Sequence, residues 1–311
     1  MSKKVSVVIP FFNELGNIEK IYGELCTVWT ARMSEHELEI IFMDNHSSDG
    51  SSALVEKLIQ NDRRIRLIRL SRNFGFQANI LTGYLKSTGD MVVQLDADGE
   101  DDPALIPTFV ERWKQGFKVV YGIRRVRKES WWLRFQRRIF YRLLNSLSAI
   151  EIPLDAGDFR LLDREVVNQL AGFKENNPYL RGLVSFIGYE QVGIPYDRRP
   201  RYSGETKFNW WSYFSLAVDG ITSFSRRPLM LATWLGMLFS LFSFVGFFFY
   251  FLYYFIVGIQ IQGFTTLVLV MLLLSGIQLF CMGVLGAYIG RIFDDVKKRP
   301  ISIVELEKNG N

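Results

Sequence analysis

Five carboxylates lie within seven positions of one short stretch, QLDADGEDDP at residues 94–103. They are Asp96, Asp98, Glu100, Asp101 and Asp102. Like charges at this spacing repel one another, and they raise one another's pKa unless a cation or a set of hydrogen-bond donors offsets the repulsion. An acidic loop in solvent is one interpretation of such a run. A cation-binding site is the other, and the surrounding sequence decides between them.

The Asp-x-Asp pair at positions 96 and 98 has a chemical use at the end of a strand. Hard divalent cations take oxygen ligands, and Mg²⁺ is commonly held by one or two carboxylates together with substrate phosphates. A cation at this turn would offset the charge crowding and would prepare a diphosphate to leave. We therefore predict Asp96, Asp98 and Glu100 as ligands of Mg²⁺ or Mn²⁺.

The elements that must position this turn are visible in residues 1–125. Apolar runs rich in β-branched residues alternate there with segments of helical periodicity; the runs are VSVVIP, LEIIFMD, IRLIRLS, MVVQLD and KVVYGI. This alternation predicts an α/β fold with a mostly parallel sheet. Ligands of such sheets bind beyond the carboxyl ends of the strands. The acidic turn, Asp44 and the stretch from Pro10 to Glu14 should therefore meet in one crevice.

Other function classes find little support. No GxGxxG or GxxxxGK[ST] motif occurs, which disfavours a dinucleotide oxidoreductase and a P-loop NTPase. Cys26 and Cys281 lie far apart without ligand spacing, so we predict neither a disulfide framework nor a zinc site. Lys and Arg exceed Asp and Glu by only 37 to 32, which does not by itself indicate a nucleic-acid-binding protein.

The strongest segmental feature is a stretch without charge. Residues 228–290 are 63 consecutive positions with no Asp, Glu, Lys or Arg. Because a helix needs about 20 apolar residues to cross a bilayer, the stretch accommodates two spans and a turn. We predict transmembrane helices at 229–257 and 264–290, joined by the short segment GIQIQG. The alternative is a buried helical pair in a soluble protein.

Basic residues flank both outer ends of this predicted hairpin. Arg226 and Arg227 precede it, and four basic residues follow between Arg291 and Arg299. The positive-inside rule places both ends in the cytoplasm. The N-terminal part and the tail at 291–311 are then cytoplasmic as well, in a multi-pass protein of the inner (plasma) membrane.

Two further segments are predicted to lie on the membrane surface. Residues 124–142 carry eight basic residues and one acidic residue, interleaved with aromatic residues. Such a run could bind nucleic acid, but its apolar residues fall on one helical stripe beside arginines, which favours a helix on an anionic bilayer. We predict an interfacial amphipathic helix at 131–147 and a juxtamembrane helix at 208–228.

Six motifs follow one another in the order and spacing of a known family: VVIPFFNE, FMDNHSSDGS, RNFGFQANILTGYLKSTGD, LDADGEDDP, GDFRLLDR and RYSGETKF. Together they resemble the family 2 glycosyltransferases of the polyprenyl-phosphate type, a group with dolichol-phosphate mannose synthases and bactoprenol glucosyltransferases. GITSFS and GVLGAYIGR, at the predicted hairpin, extend the resemblance over nearly the whole chain. The resemblance implies a Rossmann-like GT-A catalytic domain at residues 1–207.

The resemblance also assigns roles to residues of this chain. It implies that Pro10, Asn13, Glu14 and Asp44 cradle the base and ribose of a nucleotide sugar, that Asp96 and Asp98 hold the metal and the diphosphate, and that Arg124 contacts phosphate. Three positions depart from the family pattern: Glu100 is usually Gln, Asn45 is commonly Asp, and Gly99 is commonly a larger apolar residue. These departures leave nucleotide and metal selectivity open.

An acceptor of this kind is a lipid monophosphate, which is largely dianionic at neutral pH because its second pKa is about 6. It is already a nucleophile, so the site chiefly needs cations that bring two anionic phosphates together. We predict Arg127, Arg198 and Lys207 as lipid-phosphate contacts. Asp158, Asp98 and Arg201 are the predicted catalytic residues. The resemblance implies that Asp158 is either a base or an orienting carboxylate; a structural carboxylate paired with Arg160 or a neighbour is the alternative.

The expected function is transfer of a hexose, with UDP-glucose as the expected donor, to undecaprenyl phosphate on the cytoplasmic leaflet by inverting displacement. Another donor sugar (mannose, galactose, GlcNAc or an aminoarabinose type) and a non-catalytic nucleotide-binding membrane protein stay open as alternatives. A processive polymerase is disfavoured because no QxxRW motif occurs and only two spans are predicted. The expected partners are the nucleotide sugar, the polyprenyl phosphate, membrane lipids and further copies of the chain, such as a tetramer, without nucleic acid.

Overall fold

The computed structural model describes residues 2–125, 156–175, 178–202, 227–257 and 263–310. Several predicted features lie outside these ranges: Arg127, Lys207, the interfacial helix at 131–147, and residues 208–226 of the juxtamembrane helix.

Eight strands in the described part of the chain form one sheet. They are β1 (Lys4–Phe11), β2 (Glu37–Asp44), β3 (Ile65–Leu70), β4 (Met91–Gln94), β5 (Val119–Arg124), β6 (Ala156–Asp163), β7 (Gln191–Tyr196) and β8 (Val304–Asn309). The described helices are α1 (Leu15–Arg32), α2 (Ser51–Asn61), α3 (Phe76–Lys86), α4 (Ile106–Lys114), α5 (Arg164–Leu170), α6 (Leu180–Ile187), α7 (Arg227–Val257) and α8 (Phe264–Val296), with a short 3₁₀ turn at Pro103–Leu105.

The strands lie in the order β7-β5-β6-β4-β1-β2-β3-β8. The four central strands β4, β1, β2 and β3 are parallel, as the alternating sequence pattern predicts. The five strands predicted in the N-terminal part are confirmed as β1 to β5. The sequence pattern did not predict three strands: β6, which is inserted antiparallel between β4 and β5; β7, which pairs parallel with β5; and β8, which pairs antiparallel with β3.

Helices cover both faces of the sheet, which explains why the central strands are almost continuously apolar. On one face, α1, α2 and α4 pack against side chains such as Val7 and Phe42. On the other face, α3, α5 and α6 pack against side chains such as Val8 and Met43. This three-layer arrangement holds the carboxyl ends of β1, β2 and β4 in fixed positions relative to one another.

The two C-terminal helices are candidate membrane spans by length and composition, over Arg227–Gly246 and Leu273–Val296. Their large apolar side chains face outward; Phe244 is 70% exposed and Ile256 is 81% exposed. An apolar surface of this extent needs a cover of lipid or protein. The second helix continues to Val296, six residues beyond the predicted span of 264–290.

The packing of α3 on the sheet yields a stability prediction. A Cβ atom on Gly83 would lie 2.9 Å from Met43 Cγ and closer still to Val8 Cγ1, whereas a Cβ on the exposed Gly23 of α1 would meet nothing within 4 Å. Gly83→Ala is expected to destabilise the protein by about 1–3 kcal/mol through overpacking. Gly23→Ala, the matched control, is expected to stabilise it by about 0.5–1 kcal/mol through helix propensity. Thermal unfolding in detergent measures both; equal effects of the two substitutions would contradict the described packing.

Candidate functional site

The acidic turn lies where predicted, directly after β4 at the carboxyl edge of the parallel strands. Its side chains are not solvated as those of an ordinary surface loop would be. Asp98 is 8% exposed and Asp101 is fully buried. Because buried carboxylates need compensation, the groups that surround this turn define the site.

A second segment, residues 198–202, docks along the turn; we call it the arginine segment. Its backbone is anchored by hydrogen bonds from Arg199 N to Glu100 O at 2.9 Å and from Tyr202 N to Asp98 O at 3.1 Å. Three arginine–carboxylate pairs join the two segments: Arg198 with Glu100, Arg199 with Asp102, and Arg201 with Asp98. Arg201 and Asp98, two of the three predicted catalytic residues, are thus in contact, with Nη2 2.8 Å from Oδ2.

Gly99 lets the arginine segment approach this closely. Its φ is +76°, which is a left-handed conformation that favours glycine. A Cβ atom at this position would overlap the ring of Tyr202. Lys20, on α1, places its Nζ 5.6 Å from the centroid of the same ring. The absence of a side chain at Gly99 therefore makes room for Tyr202.

Asp101 forms the floor of the turn. It accepts a hydrogen bond from the Tyr196 hydroxyl at the end of β7. Arg124, at the end of β5, lies beside both: its Nε is 3.4 Å from the Tyr196 hydroxyl and its Nη2 is 3.9 Å from Asp101 Oδ2. Burial raises the pKa of Asp101, and Arg124 only partly offsets that effect.

Asp96 and Asp158 face each other across two antiparallel strands. The register of β4 and β6 ends with Gln94 opposite Arg160, so the next residues outward bring the two aspartates together. Burial, followed by the charges of Asp101 and Asp98, raises the pKa of Asp96 well above its usual value. The two carboxylates are thus neighbours with opposite electrostatic surroundings, since Asp158 is held by arginines.

Arg181, at the start of α6, holds Asp158 with two hydrogen bonds. Its Nε and Nη2 lie 2.9 Å from Oδ1 and Oδ2 respectively. Arg160 Nη2 adds a longer contact of 3.5 Å, the pairing that the sequence left open as an alternative. Burial alone raises the pKa of Asp158, but the charges and hydrogen bonds of Arg181 outweigh it, and the pKa falls to about 2. Asp158 is therefore an ionised carboxylate at neutral pH.

The turn after β1 and the loop after β2 are tied together. Asn13, with a φ of +56°, donates its backbone N–H to Ser47 Oγ at 2.9 Å, and its side chain accepts from Ser48 N at 2.9 Å. Glu14 N donates to Ser51 Oγ at 3.1 Å. Hydrogen bonds thus join the two segments into one surface beside the end of β1, which we call the crevice wall.

The Asp44 side chain lies within this wall. Its side chain is fully buried and accepts from Ser47 N at 2.7 Å and from the Ser52 hydroxyl. The neighbouring Asn45 donates from Nδ2 to Asn73 Oδ1 and accepts at Oδ1 from Phe74 N, each at 2.9 Å. These bonds join the loop after β2 to the loop after β3. In this structure Asp44 shapes the loop that lines the crevice, and Pro10 is buried within β1.

The residues of the turn suit a divalent cation in chemical type. Asp101 Oδ2 is a buried oxygen without a hydrogen-bond partner among the described residues, and Asp96 and Asp98 add hard carboxylate ligands beside it. Within the described ranges, however, no three such side chains converge as a complete ligand set. Two carboxylates completed by phosphate oxygens of a bound diphosphate satisfy Mg²⁺ or Mn²⁺, so these residues fit such an ion together with a substrate.

The structure brings most predicted site residues to one edge of the sheet: Asp96, Asp98, Glu100, Arg124, Asp158, Arg198 and Arg201, with Asn13, Glu14 and Asp44 on the neighbouring wall. Four further residues at this edge were not predicted from the sequence: Arg181, Tyr196, Arg199 and Tyr202. Arg181 could have been found as the single charge in the apolar helix LRGLVSFI.

Comparisons with known proteins agree with this geometry. A family model described as Glycosyl transferase family 2 matches residues 6–171. YkcC of Bacillus subtilis, an uncharacterized glycosyltransferase, is 40% identical over 96% of this chain and 93% of its own length. Bactoprenol glucosyl transferase of Shigella phage SfII is 34% identical over 99% of both chains.

A solved structure supports the fold. The mannosyltransferase of Pyrobaculum calidifontis, determined in complex with GDP-Man and Mn²⁺, superposes with a TM-score of 0.50 at 18% identity. The match covers 71% of this chain and 63% of that protein. The sheet described above is thus a GT-A, Rossmann-like sheet.

The close approach at Gly99 can be tested. Gly99→Ala is expected to displace the arginine segment, because its Cβ overlaps the Tyr202 ring. Hydrogen exchange measured by mass spectrometry should then quicken in the peptide that contains the Arg199 and Tyr202 amides. In a Tyr202→Ala background the same glycine substitution should change exchange much less. Unchanged exchange in the single variant would contradict the docking of this segment.

Proposed function

Because this chain belongs to glycosyl transferase family 2, we propose that it transfers a hexose from a nucleotide sugar to a polyprenyl phosphate at the cytoplasmic face of the inner membrane. The main support for a polyprenyl phosphate as the acceptor is the similarity to bactoprenol glucosyl transferase over 99% of both chains. This similarity includes the C-terminal helical hairpin. UDP-glucose and undecaprenyl phosphate are the proposed substrates. A homo-oligomer, such as a tetramer, stays a prediction.

The charges at the sheet edge support this proposal. Two anionic phosphates must approach each other, and Arg124, Arg198 and Arg201 lie beside the acidic turn to meet them. Guanidinium groups suit phosphates because they donate in a planar fork. The hairpin would hold this edge near the bilayer, where a lipid phosphate arrives.

The proposed reaction is a direct displacement at the sugar carbon. A phosphate oxygen of the lipid forms the new bond to that carbon, and the bond to the nucleoside diphosphate breaks with its electron pair leaving on the diphosphate. The configuration at the carbon inverts. Mg²⁺ or Mn²⁺, when held by Asp96 and Asp98, would neutralise charge on the departing diphosphate.

Asp158 has an orienting role in this proposal. A carboxylate with a pKa of about 2 that is clamped by Arg181 accepts a proton poorly at neutral pH. The dianionic acceptor needs no proton removed. Asp158 instead fixes the arginines beside the phosphates, so Arg181 and Asp158 act as one unit.

The proposal is tested with purified full-length enzyme in lipid, undecaprenyl phosphate and a panel of labelled donors that includes UDP-glucose, UDP-galactose, UDP-GlcNAc and GDP-mannose. Each donor is assayed with Mg²⁺, with Mn²⁺ and with chelator. A lipid-linked glucose product that needs a metal is expected. No product with any donor would contradict transferase activity on this acceptor, and full activity in chelator would contradict the metal.

Asp98→Asn should abolish turnover, with a loss on the order of 10³-fold, because the turn loses the carboxylate that meets both Arg201 and the proposed metal. Membrane insertion should be unaffected. Asp102→Asn, in the same turn, is the matched control, since it lies outside the proposed metal ligands and asparagine still caps the following turn. Its activity should stay within about threefold of the wild type; a near-normal rate for Asp98→Asn would show that the metal is misplaced.

Arg181→Met and Asp158→Asn are expected to lower kcat/KM by similar factors. The double variant should fall little further, because residues that act as a unit give non-additive losses. Steady-state kinetics on the three variants measure this. If Asp158→Asn is inactive while Arg181→Met keeps most of its activity, Asp158 acts as a general base and the orienting role is wrong.

A further inference from the structure

The chain returns to the catalytic sheet after its last apolar helix. Residues 304–309 form β8, which lies on the outer edge of β3. The pairing has one irregularity: Leu70 lies opposite Val304 and Arg69 opposite Leu306, so that Glu305 is an extra residue. A β-bulge of this kind re-aims a side chain and is common beside functional sites.

The bulge directs Glu305 toward two residues that border the crevice wall. Glu305 Oε2 lies 3.2 Å from Arg69 Nε and 3.6 Å from His46 Nδ1. The Arg69 side chain also contacts the end of β2 and the start of α2, since its Nη1 lies 3.8 Å from Asp44 Oδ2 and 3.2 Å from Ser52 Oγ. The C-terminal strand is therefore two contacts away from the buried carboxylate of Asp44.

His46 gives the second connection. It lies in the loop after β2 with a φ of +67°, a conformation that a residue with a side chain keeps only when its surroundings hold it. Its Nδ1 lies 3.1 Å from Leu70 O on β3. Glu305 thus contacts Arg69, which lies beside Asp44, and His46, which precedes Ser47 in the loop. Ser47 Oγ in turn accepts a hydrogen bond from Asn13 N.

We propose that Glu305 is a positioning residue for nucleotide binding, acting through Arg69 and His46 on the wall built from Asn13, Asp44 and Ser47. The inference rests on the proposed function, in which this wall receives the base and ribose of a nucleoside diphosphate. Glu305 touches no reacting group, so its effect falls on donor affinity.

Stability is a poor readout for this role. The Glu305 side chain is 49% exposed and that of Arg69 is 26% exposed, and ion pairs of this kind contribute little to folding free energy. The effect of Glu305 should lie in the placement of the loop, which a measurement of donor binding detects.

The same strand offers a matched control. Glu307 also pairs with an arginine of β3, at 2.7 Å from Arg66 Nη2, and with Lys86 at 3.0 Å. Arg66 in turn pairs with Glu39 at the opposite end of β2 from Asp44. Glu305 and Glu307 therefore share strand, charge and partner type but differ in which end of the sheet they reach.

The test compares full-length Glu305→Gln and Glu307→Gln in lipid. For Glu305→Gln, we expect the Kd for UDP and the KM for UDP-glucose to rise on the order of fivefold, as for residues coupled in one network. The KM for undecaprenyl phosphate and kcat should stay within about twofold. Glu307→Gln should stay within about twofold of the wild type in all four quantities.

Two further readouts separate positioning from a general loss of folding. Arg69→Met should raise the donor KM similarly, and the double variant Glu305→Gln/Arg69→Met should add little. Hydrogen exchange should quicken in the peptide that contains Ser47 for Glu305→Gln only. If the wild type is active and Glu305→Gln has the same KM for UDP-glucose and the same Kd for UDP, this inference is overturned but the proposed function is not. A wild type that binds no nucleotide and forms no product would overturn the proposed function, and this inference with it.

Discussion

Electrostatic repulsion at the end of β4 is the constraint on which the site depends. Asp96, Asp98 and Asp101 are crowded and largely withdrawn from water, so they cannot all carry charge without nearby cations. The chain supplies those cations from distant segments: Arg124 from the end of β5, and Arg198 and Arg201 from the segment after β7. In the proposed function, a divalent ion would replace the arginines as the partner of the carboxylates, and a diphosphate would replace the carboxylates as the partner of the arginines.

The insertion of β6 between β4 and β5 creates the second half of the site. It brings Asp158 opposite Asp96 and carries Arg160 in the same strand. The bidentate contact from Arg181 gives the two carboxylates different pKa values. The pKa of Asp158 falls, whereas burial and nearby carboxylates raise that of Asp96. Asp158 is thus paired with arginines, whereas Asp96 lies among like charges. This division of roles follows from the sheet order rather than from either residue alone.

The sequence predicted the features that depend on local pattern. Apolar runs and helical periodicity identified β1 to β5, and strand ends identified the edge where Asp44 and Asp98 lie, because the carboxyl ends of parallel strands meet. The uncharged stretch identified the two apolar helices. Partner choice was not predictable, because the pairing of Arg181 with Asp158 depends on how helix α6 packs beside β6, and that of Glu305 with Arg69 on the register of β8 against β3. The direction of the Asp44 side chain, into its own loop, depends likewise on where Ser47 and Ser52 fall in space.

The C-terminal strand β8 links the catalytic sheet to the apolar hairpin. Without β8, the outer edge of β3 would expose unpaired backbone groups beside the crevice wall. The chain covers that edge with the segment that leaves α8, and a second contact, Arg291 Nη2 to Glu175 Oε2 at 3.5 Å, links α8 to the segment after α5. Among the described residues, these two contacts link the segments next to the hairpin to the catalytic domain, and β8 lies against the loop after β2. Because β8 follows the hairpin and contacts Arg69 and His46 through Glu305, the chain links the apolar helices to the loop after β2.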